Sequence, residues 1–217
     1  MIISFANQKG GVGKSTHCAL FAQYLSEKEK IVHVIDMDNQ RSLHNKRRSD
    51  NSLSEKRENE ENLYDNPLNY SVLAVSPDDI LSFLKKNAES KKDAIFIIDT
   101  PGNIENENVL RTLYKSDFII IPFSYTELKL DSTAVFIQVM KRFKVPAKLI
   151  FMPNDIDRRI KLEAAEQVNK IFSHEGVVTP ILYHYADIER FSTVDMNKKQ
   201  REVVLPTYDF IYNYLNI

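Results

Sequence analysis

Glycine is scarce in this chain, and most of it is in one place. Ordinary usage near 7% would give a chain of this length about fifteen glycines. This sequence of 217 residues has five, and Gly10, Gly11 and Gly13 fall within four positions. They lie in ISFANQKGGVGKSTHCALFAQYL, which reads as an apolar strand, a glycine-rich turn and a helix with Cys18, Phe21, Ala22 and Leu25 at i, i+3, i+4 and i+7. That order builds an anion site: glycines let successive backbone N–H groups converge without Cβ clashes, and the helix N-terminus favours negative charge. A nucleotide would then meet the amides of Gly10, Gly11, Val12 and Gly13, with Lys14 reaching its β and γ phosphates. Ser15 would ligate Mg²⁺, and Thr16 would add a phosphate donor. Gln8 stands where the ordinary G-x-x-x-x-G-K-[ST] pattern has its first glycine.

Five apolar, β-branched runs read as strands covered on both faces: Ile2 to Ala6, Ile31 to Ile35, Ala94 to Ile98, Phe118 to Pro122 and Ala147 to Met152. Helical patterns alternate with them. Ser76-Pro77-Asp78-Asp79 reads as a cap with proline at N1, opening a helix through Ile80, Leu81 and Leu84; Leu130 to Phe143 and Lys161 to Phe172 are periodic too. The expectation is an α/β fold, a doubly wound, mostly parallel sheet with helices on both faces, of P-loop NTPase type. Its site would lie beyond the strand C-termini. One domain is expected over residues 1–217. The polar stretch 45–66 is expected as a solvated loop or short exposed helix, whose basic start, Lys46-Arg47-Arg48, is available to a partner. Asp36 and Asp38 end the second strand, and Asp99 ends the third. Three carboxylates at one sheet edge facing a phosphate loop suit Mg²⁺, which is held through one or two carboxylates and waters.

Composition excludes several classes. The single cysteine, Cys18, forms no internal disulfide and is too little for a zinc or iron-sulfur site within one chain. Apolar runs are too short for a membrane span, and the N-terminus lacks a signal-peptide pattern, so a soluble cytoplasmic protein is expected. A net charge of −1 excludes a wholly basic surface while leaving room for a local basic patch.

The segment NQKGGVGKST, with Lys9 as well as Lys14, resembles the deviant Walker A motif of the ParA/MinD ATPases. VIDMDNQRSL is similar to their A′ segment and IIDTPG to their Walker B. SDFIIIPFSYTELKLDSTAVFIQVM extends the likeness toward the small, ParF-like plasmid partition ATPases. Departures are Asn39 where proline is frequent, Thr100-Pro101-Gly102 after Walker B, and the charged insert. The resemblance implies a slow Mg-ATP hydrolase that dimerises in its ATP state, with Lys9 reaching across the dimer to the partner's nucleotide. It implies that Ser15 ligates the metal, Asp36 and Asp99 hold its waters, and Asp38 orients the attacking water. It also implies non-specific DNA binding, association with the nucleoid in the ATP state, and a ParB-type centromere-binding partner. Arg190 falls where the family contacts DNA, and Lys198, Lys199 and Arg201 follow it; each also reads as ordinary surface charge. Adenine is the implied base, with Asn154 a candidate base contact and equally a turn residue.

Three other readings share the loop. A MinD-type protein ends in a basic amphipathic membrane helix, whereas VVLPTYDFIYNYLNI has no lysine or arginine, and no membrane partner is expected. Bacterial tyrosine kinases with similar motifs lack the lysine at position 9, and Tyr208, Ile211, Tyr212 and Leu215 fit one helical face packed on the sheet. A nucleotide-switched binding module without useful turnover is the remaining alternative.

Overall fold

In a computed structural model, the structure describes residues 1–58, 70–88, 91, 93–104, 106–160 and 162–217. Seven strands are present among the described residues: β1 (Ile2–Phe5), β2 (Val32–Asp36), β3 (Tyr70–Ala74), β4 (Ile95–Asp99), β5 (Phe118–Phe123), β6 (Lys148–Pro153) and β7 (Val177–Val178). They form one parallel sheet in the order β3-β2-β4-β1-β5-β6-β7. The helices are α1 (Lys14–Glu27), α2 (Ser42–Glu58), α3 (Ile80–Ala88), α4 (Glu107–Lys115), α5 (Glu127–Arg142), α6 (Leu162–Phe172), α7 (Ala186–Glu189) and α8 (Lys198–Leu215).

The apolar runs work as two-sided strands. Successive side chains point to opposite faces, and the residues divide accordingly. Ile3, Phe5, Val32, Val34, Ile95, Ile97, Ile120 and Ile150 join a core with α1 and with Val204, Tyr208, Ile211 and Leu215 of α8. Their neighbours Ile35, Phe96, Ile98, Ile119, Ile121 and Phe151 join a second core with residues of α3, α4, α5 and α6. The expected doubly wound α/β architecture follows directly from this alternation. Helix α1 lies against the middle of the sheet, and every residue from His17 to Ser26 is buried.

The edge strands β3 and β7 were not anticipated, nor was α4, which is capped by Asn106 accepting from Asn108 N at 2.8 Å and Val109 N at 3.3 Å. Ser76 does form a turn, its Oγ accepting from Asp79 N at 3.3 Å, but regular helix starts at Ile80. The polar stretch 45–66 is helical as far as Glu58, within α2; residues 59–66 lie outside the described residues. Two of its basic residues are used inside the molecule, contrary to expectation. The Arg47 guanidinium donates to the carbonyls of Thr193 and Tyr70 and stacks 4.4 Å over the Tyr70 ring. Lys46 sits 5.0 Å over Phe191 and pairs with Asp50 at 3.6 Å. Asp50 in turn accepts from the Thr193 amide at 2.7 Å and hydroxyl at 2.8 Å. A helix with little apolar surface is thus held by contacts of its charged side chains to the loop around Thr193 and to Tyr70 of β3, with Leu43 its buried apolar anchor.

Phe151 tests the two-core arrangement, because it is fully buried and stacks on Phe172 with ring centroids 4.7 Å apart. Phe151→Ala should cost about 3–5 kcal/mol of unfolding free energy. Leu128→Ala, at a side chain 73% exposed, should cost less than about 0.5 kcal/mol. Urea unfolding of both variants measures the difference, and equal losses would contradict the assignment of the core.

Candidate functional site

The glycine loop leaves β1 at the C-terminal edge of the sheet. Asn7, fully buried, fixes its start: Nδ2 donates to Pro122 O at 2.9 Å and to Thr133 Oγ1 at 3.0 Å, while Oδ1 accepts from Lys9 N at 3.2 Å. Gly11 and Gly13 adopt φ of 71° and 95°, in the left-handed region that favours glycine. Gly13 is the N-cap of α1, and no side chain caps the helix there. The first amides of α1 therefore remain available to an anion. The Lys14 ammonium folds back over the loop and donates to Lys9 O at 3.2 Å. Burial lowers its pKa, and the charges of Asp99, Cys18 and Asp38 oppose that shift. Among the described residues the loop's contacts to Lys9 run through its backbone, leaving the half-buried Lys9 side chain without a bonded partner.

The carboxylates gather where the sequence placed them. Asp36 and Asp99 are register partners on adjacent strands, and Asp99 is level with Phe5, the last residue before the loop. Their surroundings differ. Asp36 accepts from Asp38 N at 3.1 Å through Oδ1 and from His44 N at 2.9 Å through Oδ2, so it caps the start of α2. Burial raises its pKa while the amides of His44, Asp38 and Leu43 lower it. Asp38 is half-buried and accepts from Gln40 N at 3.0 Å. Asp99 is 2% exposed, and its Oδ1 has no hydrogen-bond partner among the described residues. Desolvation pushes its pKa up to about 7; the Ser15 hydroxyl and the Lys14 charge pull it down, and Asp36 pushes it further up. Among the described residues no cluster of three or more His, Cys, Asp or Glu could hold a metal ion unaided. An orphaned carboxylate oxygen near the Ser15 hydroxyl and the phosphate loop nevertheless fits a part in holding Mg²⁺ brought in with a nucleotide, which would supply further oxygen ligands.

Beside the loop is a cleft of about 180 Å³, lined by Gly11, Gly13, Thr16 and Asn154 and by Leu182, Tyr183, Tyr185 and Ile188 among others. Asn154 is buried beneath the loop. Its Nδ2 donates to Val12 O at 2.9 Å, and its Oδ1 is 2.8 Å from His17 Nε2, leaving one N–H and one lone pair for other use. His17 Nδ1 is 2.8 Å from the Tyr208 hydroxyl of α8. Burial lowers the His17 pKa to about 4, so the ring is neutral at physiological pH. Neither His17 nor Tyr208 stood out in the sequence as part of a site. The available signal was a polar ring set in the apolar run that follows the loop.

The four basic residues beyond the cleft are not equivalent. Arg190, Lys198 and Lys199 are exposed. Arg201 is half-buried and spent internally, pairing with Glu27 of α1 at 2.9 Å and donating to Met196 O at 3.0 Å. It does not present a free charge beside the lysines.

A parallel α/β sheet with a glycine loop at its C-terminal edge, opening onto α1, defines a P-loop nucleotide-binding protein. Residues 3–206 match the CobQ/CobB/MinD/ParA nucleotide binding domain, and the chain belongs to that family. No curated protein sequence matches it. Among solved structures it is similar to a putative plasmid partition protein from Borrelia burgdorferi bound to AMPPNP, with TM-score 0.70, 19% identity and 98% of each chain covered. It is also similar to an ATP complex of a Cyanothece McdA variant, with TM-score 0.73, 14% identity, and 100% of this chain and 96% of that one covered. MinD from Aquifex aeolicus superposes with TM-score 0.71 at 17% identity, covering 98% and 97%. No helix among the described residues is long and apolar enough to cross a membrane.

Asp99 makes stability depend on pH in a definite direction. A carboxyl whose pKa rises from 3.8 to about 7 on folding holds its proton more tightly in the folded state. Its contribution is therefore full below the unfolded value, declines as pH rises toward 7, and is flat above it. Asp99→Asn removes the ionisation. Without nucleotide the variant should be more stable than wild type at pH 8, by on the order of 1–3 kcal/mol, with the gain shrinking toward pH 5. Denaturant unfolding at several pH values checks this; a pH-independent difference contradicts it.

Proposed function

We propose that the chain is a slow Mg-ATP hydrolase of ParA type, whose ATP-bound dimer binds DNA without sequence preference and acts in plasmid or chromosome partition. The observation that carries the reading is the convergence of an uncapped, left-handed glycine loop, the half-buried Lys14 ammonium and the orphaned Asp99 oxygen at one sheet edge. Phosphoryl transfer needs little covalent help from a protein. It needs positioning and stabilisation of negative charge. The amides from Gly10 to Lys14 bind the phosphates, with Ser15 and Thr16 donating beside them. Mg²⁺, when bound, neutralises charge on the β and γ phosphates. Ser15 and Asp99 are the residues that would hold it, with Asp36 behind them setting the start of α2.

Asp38 orients the attacking water. It is half-buried and held on the turn that leads into α2, so positioning is a better account of its role than strong basicity. Lys9 supplies a cation to the nucleotide of a second copy across a face-to-face dimer; its side chain has no bonded partner in its own chain among the described residues. Adenine occupies the cleft beside Asn154, and AMPPNP and ATP in the Borrelia and Cyanothece neighbours favour an adenine nucleotide. Arg190, Lys198 and Lys199 form the DNA-facing charge, doubled by dimerisation, and a ParB-type protein is the partner. The face of α8 that carries Val204, Tyr208, Ile211 and Leu215 is packed in the core and so is not free to lie on a membrane surface.

Three variants separate these roles. Lys14→Ala should weaken ATP binding in a calorimetric titration. Lys9→Ala should retain most of that affinity and lose the ATP-dependent dimer seen by light scattering. Asp38→Ala should bind ATP and accumulate on DNA while releasing no phosphate above background. Wild-type turnover by Asp38→Ala defeats its assigned role, and a wild-type protein that binds ATP without ever releasing phosphate leaves a nucleotide-switched binding module instead. DNA affinity of the ATP dimer should fall roughly tenfold or more between 50 and 200 mM salt; salt-insensitive or ATP-independent binding contradicts the partition reading.

A further inference from the structure

The phosphate loop rests on a buried polar chain that starts in the C-terminal helix. Tyr208 of α8 is fully buried, and its hydroxyl is 2.8 Å from His17 Nδ1. His17 Nε2 is 2.8 Å from Asn154 Oδ1, and Asn154 Nδ2 donates to Val12 O at 2.9 Å. The directions of these bonds are fixed by donor and acceptor inventory. Asn154 uses its amide N–H on the Val12 carbonyl, so its oxygen must accept from His17, which places the imidazole proton on Nε2. Nδ1 is then an acceptor, and the Tyr208 hydroxyl donates to it. All three side chains are buried, and none of the atoms in this chain is left without a partner.

The far end of the chain is the consequential one. A trans peptide is planar, so its carbonyl and the following N–H point in opposite directions. Holding the Val12 carbonyl down against Asn154 therefore turns the Gly13 N–H up, toward the mouth of the loop. There is no slack beneath it. A Cβ on Gly13 would lie 2.5 Å from Asn154 Nδ2 and 3.1 Å from His17 Cδ2. We propose that Tyr208 and His17 are positioning residues that, through Asn154, lock the Val12–Gly13 peptide with its N–H facing the nucleotide phosphates. The inference rests on the nucleotide-binding reading above and extends it to the C-terminal helix, whose identity as part of the site is carried by one hydroxyl.

Tyr208→Phe removes that hydroxyl and keeps the ring, which packs edge-on against Phe21 at 5.1 Å and Tyr24 at 5.6 Å. With its Nδ1 acceptor unsatisfied, His17 can exchange its tautomer and release Asn154. ATP affinity by calorimetry should then fall about three- to tenfold, since a buried group that loses its partner gives up only part of that cost to binding. Tyr24→Phe is the control: it deletes a hydroxyl from the same aromatic cluster, one that donates to Asp209 at 2.5 Å and has no connection to the loop. Its ATP affinity should match wild type. A nitrogen-15 spectrum of the side chains should show His17 protonated at Nε2 in wild type, and the Gly13 amide resonance should move in Tyr208→Phe and stay in Tyr24→Phe.

Equal ATP affinity for wild type and Tyr208→Phe, or equal losses in both tyrosine variants, overturns the positioning role, as does an Nδ1-protonated His17. A further arm isolates the chain: in a His17→Phe background, Tyr208→Phe should cause no additional loss of affinity, and an additive loss overturns the proposal. Wild-type protein that binds no ATP overturns the nucleotide reading and this one with it, whereas wild-type binding alongside an unaffected Tyr208→Phe overturns this one alone.

Discussion

Burial of the parallel sheet on both faces is the constraint from which the rest follows. Its strands can present no charged or unpaired polar side chain to either core without losing free energy, so charged chemistry is confined to their ends. Asp36 and Asp99 end their strands at matched register, and the glycine loop begins one residue after Phe5. The same burial gives these carboxylates their character. At 2% exposure Asp99 sits at the margin between core and phosphate loop, where the nearby Lys14 ammonium only partly offsets desolvation. A site assembled at that margin is poised to take up a cation and an anion together, each reducing the cost of burying the other.

Around this edge the helices of one face form a connected polar frame. Asp36 caps α2, and α2 holds Thr193 through Arg47 and Asp50. Gln23 of α1 donates to Ser192 O at 2.7 Å, and Arg201 of α8 joins Glu27 of α1. The segment from Phe191 to Arg201, which runs into α8, is thereby tied to two helices, α1 beginning at the loop and α2 at Asp36. Polar contacts of this kind contribute geometry more than stability. Exposed ion pairs are worth little in free energy, but they fix where the basic residues beside them stand.

What could be read in the sequence divides along the same physical line. β1, β2, β4, β5 and β6 were visible because strands covered on both faces are continuous hydrophobes. The edge strands β3 and β7 were not, since Tyr70–Ala74 is only partly buried and Val177–Val178 is two residues long. The glycine loop and three carboxylates were legible because a local pattern dictates them. Helix α2 was legible only as a solvated loop or short exposed helix, because its attachment is polar, which a hydrophobic pattern does not reveal. The His17–Tyr208 contact joins residues 191 positions apart, and nothing local in either segment announces the other. Arg201 illustrates the converse, a basic residue grouped with Lys198 and Lys199 by proximity in sequence and separated from them by its partner Glu27.

The burial of α1 from His17 to Ser26 has a practical consequence for anyone handling the protein. Its sole thiol, Cys18, faces the inside of the molecule beside Asp99, and burial with those carboxylate charges raises its pKa well above the ordinary value. Thiolate is the reactive form, so modifying reagents find nothing to attack while α1 stays seated. Labelling kinetics then become a built-in clock for departures of that helix from the sheet, read at one atom and without any engineered probe.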